Sequence, residues 1–270
     1  MSLPYSEFPV NGYIPATQLN VSYSTSSSAR RKLGKSVDSS DQFTFDQALS
    51  ADISISCLLQ SGMVSGLDFL LDENQDGYVN MKLGSGIYNQ CYVKDVSLSV
   101  SPFEQVILSA NFVSLDPAVG GGINGDSNPY NGQEPPLDSD GIVYGHTCSI
   151  NDSAGVLGQV QSQINFNRSY SRTPIYGLGS VNASSMLLDG VEEEISVSST
   201  GLNSLINFSG EKLTSTLRVN LDLQGNVGIG TSPTNDLIRF PAGARVLTES
   251  YSAQGGEVMQ TTATIKQVKL

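Results

Sequence analysis

Gln18–Gly34 reads QLNVSYSTSSSARRKLG, and Gln163–Gly179 reads QINFNRSYSRTPIYGLG. Laid over each other without a gap, Gln18, Asn20, Ser24, Ser26, Leu33 and Gly34 meet identical residues. Leu19 meets Ile164 and Val21 meets Phe166, so apolar and polar residues alternate in the same phase in both stretches. Each ends in Leu-Gly, a natural place for a chain to turn. Two further blocks follow in the same order. Ile53-Ser54-Ile55-Ser56 aligns with Ile195-Ser196-Val197-Ser198, and Val93–Phe112 aligns with Val246–Ile265, with Glu104 meeting Glu257. The offset drifts between blocks, as insertions and deletions in loops would make it do. The pattern reads as two diverged copies of one β-rich unit. The plainer alternative is that Ser-rich alternating strands resemble one another.

Composition supports a β protein. The chain has 270 residues, long enough for one large or two ordinary domains with buried cores. It is 15% charged, has no tryptophan and has 27 glycines, a strand-and-turn vocabulary. The formal net charge of -12 argues against nucleic-acid binding and against a polybasic membrane contact. No apolar run reaches membrane-helix length, and MSLPYSEFPVNGYIPA has neither a basic start nor an apolar core typical of a secretion signal. Cys57, Cys91 and Cys148 form no CxxC pair and read as buried or half-buried thiols of a reducing compartment.

The chain divides into four segments: an N-terminal arm over 1–17, a first β unit over 18–115, a Gly/Pro-rich linker or arm over 116–144, and a second β unit over 145–270. Leu19–Tyr23, Phe43–Cys57, Gly77–Lys82, Cys91–Val100 and Val106–Val113 carry strand character, the last two joined as a hairpin across Ser101–Gln105. In the second unit, Val219–Leu223, Val246–Ser252 and Gln260–Val268 do the same. Met63, Leu67, Leu70 and Leu71 fall at helical spacing, and Leu202, Leu205 and Ile206 stand in the equivalent place. Each unit is therefore expected to hold one short helix. The linker contains Gly120-Gly121-Gly122 and Pro135-Pro136.

Chemical motifs are weak. Asp72, Asn74, Asp76 and Gly77 begin like an EF-hand loop, but the twelfth position is Leu83 in place of a bidentate Glu, and an Asp-Gly turn explains the residues as well. His146 is the only histidine. A zinc site with Cys148 lacks further ligands, and a Cys-His dyad stays open beside a structural role. Ala29–Lys32 is a basic loop or a subunit contact. Glu192-Glu193-Glu194 reads as a solvated strand end or an acidic patch facing a channel. Gly225–Pro233 does not lead from a strand into a helix and is no phosphate loop. No catalytic residue, cofactor or metal is assigned, and the chain is not expected to be an enzyme.

The repeated Leu19–Tyr23 strand with its Leu33-Gly34 turn, echoed at Ile164–Arg168 and Leu178-Gly179, and the hairpin at Cys91–Phe112, echoed at Val246–Ile265, resemble the duplicated tail-tube proteins of tailed bacteriophages. The resemblance is one of texture and order over most of the chain, with no signature motif. It implies a mainly β fold of two tandem β-sandwich or barrel tube-type units, each with one short α-helix. It also implies that inner strands of neighbouring units join into a continuous barrel around a lumen. The expected partners are further copies of the chain, in stacked rings of three or six, and other tail proteins. DNA would pass through without being held, no membrane would be involved, and the place would be the virion tail, assembled in the host cytoplasm. An acidic wall repels phosphate and lets the polymer slide, and a sheet shared between subunits leaves no edge unpaired. The GNVGIGTSP stretch departs from this pattern. It suits the alternative of a trimeric tail-fibre, baseplate or other peripheral virion protein, with glycan binding as a role open to it, although the chain has no tryptophan for sugar stacking. A hydrolase with a dispersed carboxylate pair is a third class, for which no spacing nominates a pair.

Overall fold

The computed structural model describes residues 5–8, 12–31, 42–59, 77–83, 86–118, 144–145, 148–152, 161–178, 182–200, 217–223, 227–229, 238–240, 245–252 and 260–269. These are mainly β. The first strands are β1 (Tyr5–Phe8), β2 (Gly12–Arg31), β3 (Gln42–Leu58), β4 (Val79–Leu83), β5 (Gly86–Val100) and β6 (Ile107–Ala118). They are followed by β7 (Cys148–Asp152), β8 (Gln161–Tyr176), β9 (Ala183–Thr200), β10 (Leu217–Leu223), β11 (Val227–Ile229), β12 (Ile238–Phe240), β13 (Arg245–Ser252) and β14 (Gln260–Lys269). The helices expected near 62–71 and 202–206, the 72–76 loop, His146 and most of the linker lie outside the described residues.

One ten-stranded sheet has the order β13-β14-β9-β8-β5-β4-β1-β2-β3-β6, with β5 also paired to β6. The pairings β1–β2–β3–β6–β5–β4 therefore return to β1 and close a circuit of six strands. The closure is short, through Tyr5–Phe8 on Gly12–Pro15 and Ser6 on Leu83, and β2 beyond Pro15 keeps one edge without a strand partner among the described residues. Strand β5 makes the circuit possible by dividing one of its edges. Residues 86–91 pair with β4, while Asp95–Val100 pair with β8. Gln90, at φ 50°, sits where the β4 register shifts, the place where a bulge bends a strand. The N-terminal segment read as an arm contains β1 and the start of β2, paired with each other. Asp116–Ala118, read as linker, extend β6 against β5. A second sheet holds β11, β10 and β12, with β7 also on β10.

The residues aligned in sequence occupy matching register positions. Leu19 pairs with Ile55 and Val21 with Ile53, while their aligned residues pair as Ile164 with Val197 and Phe166 with Ile195. Likewise Ile53 pairs with Phe112 and Ile55 with Ala110, where the other half pairs Ile195 with Ile265 and Val197 with Ala263. Irregularities coincide as well. The shift between Ala16 and Gln18 meets one between Gln161 and Gln163, and the shift between Val93 and Asp95 meets one between Val246 and Thr248. Strand order is also the same, β2-β3-β6-β5 beside β8-β9-β14-β13.

Alternation decides which side of the sheet is buried. Directly paired residues share a face, so Ile53, Ile55, Leu98, Leu108, Phe112, Phe166, Ile195 and Ile265 collect into one continuous core. Fully burying a side chain of this size contributes roughly 1.5–3 kcal/mol. Gly145 joins the second half to the first. Its N–H donates to the Glu104 carbonyl at 2.9 Å, and a Cβ there would lie 1.8 Å from the Ser101 carbonyl oxygen. Only glycine lets the chain pass this close to the β5–β6 turn.

Candidate functional site: a hydroxyl-rich sheet face

Much of the face opposite the core is built from short polar side chains, because over 18–20, 54–56, 97–99, 109–111, 163–167, 196–198 and 262–264 every second residue is Ser, Thr, Asn or Gln. Across β2, β3 and β6 it presents Gln18, Asn20, Ser54, Ser56, Ser109 and Asn111. It continues across β5, β8, β9 and β14 through Ser97, Ser99, Asn165, Asn167, Ser196, Ser198, Thr262 and Thr264. Cross-strand hydrogen bonds tie the rows together: Ser56 Oγ to Ser109 Oγ at 2.9 Å, Ser99 Oγ to Asn165 Oδ1 at 2.9 Å, and Ser198 Oγ to Thr262 Oγ1 at 2.9 Å. The first and last of these stand at aligned positions of the two halves. Such neutral bonds contribute little to stability, but they fix the side chains flat on the sheet.

Among the residues whose side chains are described, charge on this face is negative and its two lysines are ion-paired. Asp52, Asp95, Glu192 and Glu194 lie in the polar phase of their strands, against Lys94 and Lys266. Lys94 Nζ sits 3.0 Å from Asp52 Oδ1, and Lys266 is ion-paired to Glu192. Asn111 donates to Asp95 Oδ1 at 2.6 Å. Exposed pairs of this kind stabilise by only about 0–1 kcal/mol. Their consequence is that neither ammonium group faces solvent without a carboxylate beside it.

The triad Glu192-Glu193-Glu194 requires a correction. It is not a solvated strand end but the middle of β9, and its members alternate between faces. Glu193 is 0% exposed and faces the core side. Arg168 donates to Glu193 Oε1 through Nε at 2.6 Å, Gln267 donates to Oε2, and Lys269 Nζ lies 3.1 Å from Oε2. The Arg168 guanidinium also lies over the Phe166 ring, 5.3 Å from its centroid. A buried carboxylate needs such partners to offset its lost hydration. The signal was present in the chain, since Glu193 falls in phase with Val191, Ile195 and Val197.

The remaining sequence candidates divide plainly. Cys57 and Cys91 are buried free thiols, and burial pushes each up to about 12, well above a reactive cysteine. Cys148 opens β7, and Ala29, Arg30 and Arg31 lie in β2, so that part of the basic cluster is strand and not loop. Among the described residues no group of three or more His, Cys, Asp or Glu could hold a metal ion. Among them, too, no helix is long and apolar enough to cross a membrane. Neither the models of known protein families nor the curated proteins match this chain.

Proposed function

We propose that the chain is two tandem copies of one tube-type β unit and that it assembles with further copies into stacked rings, a bacteriophage tail tube that conducts DNA. The observation that carries this reading is the hydroxyl-rich face. A conduit must be wettable, lightly negative and free of bare cations, so that a phosphate backbone finds no counter-charge to displace. Ser, Thr, Asn and Gln hydrogen-bond to water without holding an ion, and Lys94 and Lys266 are already neutralised by Asp52 and Glu192. At about 0.1 M salt the repulsion extends only about 10 Å, enough to keep a passing polymer off the wall.

The matching registers of the two halves support the tandem copies, and they make three chains equivalent to a pseudo-six-fold ring. In this reading the chain has no catalytic duty and resides in the virion tail. Negative-stain microscopy of the concentrated protein tests it. Rings or hollow tubes of uniform lumen, with three-fold or six-fold end views, are expected. Slender rods would favour a fibre, and a persistent monomer would overturn both.

A further inference from the structure

Two strand edges of the ten-stranded sheet stand at positions that the repeat makes equivalent to an internal joint, and both are without a strand partner among the described residues. Strand β13 pairs only with β14, and β2 beyond Pro15 pairs only with β3. In the sequence alignment β13 corresponds to β5 and β2 corresponds to β8, and β5 and β8 are already paired with each other inside the chain. We propose that the β13 edge of one copy pairs antiparallel with the β2 edge of the next, in the register that β5 and β8 take. This deepens the assembly reading by naming the edges that meet, and it rests on the repeat, not on the lumen.

The β5–β8 register is Asp95 with Ser169, Ser97 with Asn167, Leu98 with Phe166, and Ser99 with Asn165. Carried over residue by residue, it places Thr248 opposite Ser24, Ser250 opposite Ser22, Tyr251 opposite Val21, and Ser252 opposite Asn20. The most specific contact is retained in kind. Ser99 donates to Asn165 within the chain, and the corresponding pair is again a serine and an asparagine, both exposed.

Burial gives a second, independent sign. Ile164 and Phe166, whose strand is flanked on both sides, are 7% and 1% exposed. Their counterparts Leu19 and Val21 are only partly buried, and Tyr23 is 51% exposed. An apolar row half-covered on one side is what a strand shows when its neighbour is missing. Because the two edges differ, the joint is head-to-tail, and successive copies either close a ring or continue as a filament.

Paired cysteines test the joint. Directly opposed residues on paired strands stand within disulfide reach. In a Cys148→Ser background, Asn20→Cys with Ser252→Cys in one chain is expected to give a ladder of dimers, trimers and larger species on mild oxidation. The two single variants, mixed, should yield dimers and nothing larger, and neither alone should crosslink. Ser24→Cys with Ser252→Cys, four residues out of register on β2, should stay monomeric. Ser99→Cys with Asn165→Cys, closing within one chain, serves as the positive control. Crosslinking of a single variant alone, equal yield from the out-of-register pair, or no ladder beside a working control would overturn the proposal. Tubes without the ladder would refute the joint alone, and the ladder without rings or tubes would refute the conduit alone.

Discussion

Matched positions in the two halves of the sheet are filled in opposite ways. Where β2, β3 and β6 bring together Tyr23, Ala51 and Ser114, the strands β8, β9 and β14 bring together Arg168, Glu193 and Gln267. In the first half the residues on β3 and β6 are small, and Ser114 donates to the Asn89 carbonyl at 2.7 Å. Tyr23 and Tyr88 share a hydroxyl hydrogen bond of 2.6 Å, and burial, then this bond, push the Tyr88 hydroxyl up to about 12. In the second half a buried ion pair occupies the same register. One strand geometry thus accommodates a neutral and a charged solution, provided that the buried charges find partners on the neighbouring strands.

The largest effect should follow from removing one member of the charged set. Glu193→Ala leaves the Arg168 guanidinium buried without its counter-charge and should cost about 3–5 kcal/mol, read from urea unfolding. Copying the neutral solution with Arg168→Tyr, Glu193→Ala and Gln267→Ser together should cost less than Glu193→Ala alone. A larger loss in the triple variant would mean that the two positions are not equivalent.

Alkaline pH should weaken the first half selectively, because it alone holds Cys57 and Cys91, and the residue aligned with Cys57 is Ser199. Both thiols are held up to about 12 by burial. Their contribution is complete below the ordinary thiol range near 9 and is lost as pH rises from there through 12. At its steepest the loss is about 1.4 kcal/mol per pH unit for each thiol. Cys57→Ser should reduce the slope of stability between these limits, and an unchanged slope would refute the assignment.

The link between the halves offers a smaller effect. Gly145→Ala forces a methyl group onto the Ser101 carbonyl and should cost about 1–3 kcal/mol by calorimetry. The smallest effect should come from the hydroxyl-rich face. Ser56→Ala and Ser198→Ala remove aligned hydrogen bonds to Ser109 and Thr262, and each should change stability by less than about 0.5 kcal/mol. A loss above 1 kcal/mol in either would assign the face a stabilising role in folding.

Most long strands and the β5–β6 hairpin were legible because alternation was strong: Ile53, Ile55 and Cys57, or Ile195 and Val197, announce their face without further help. The aligned blocks also anticipated which residues would hold corresponding register positions. What could not be read was the division of the β5 edge between β4 and β8, since strands distant in sequence compete for one edge and local pattern does not rank them. Glu193 was misread for a different reason. Three consecutive carboxylates suggest solvent, and only the partners Arg168, Gln267 and Lys269, brought in by neighbouring strands, make the middle one a core residue. The Gly145 contact was hidden as well, because it depends on a turn lying across another strand's end.

The measurement that bears most directly on the conduit is an image reconstruction of the assembled particle, at a resolution that traces strands. Ser97, Ser109, Asn165 and Ser196 are predicted to face a continuous central channel. Finding them on the outer wall, or finding no channel, would contradict the account.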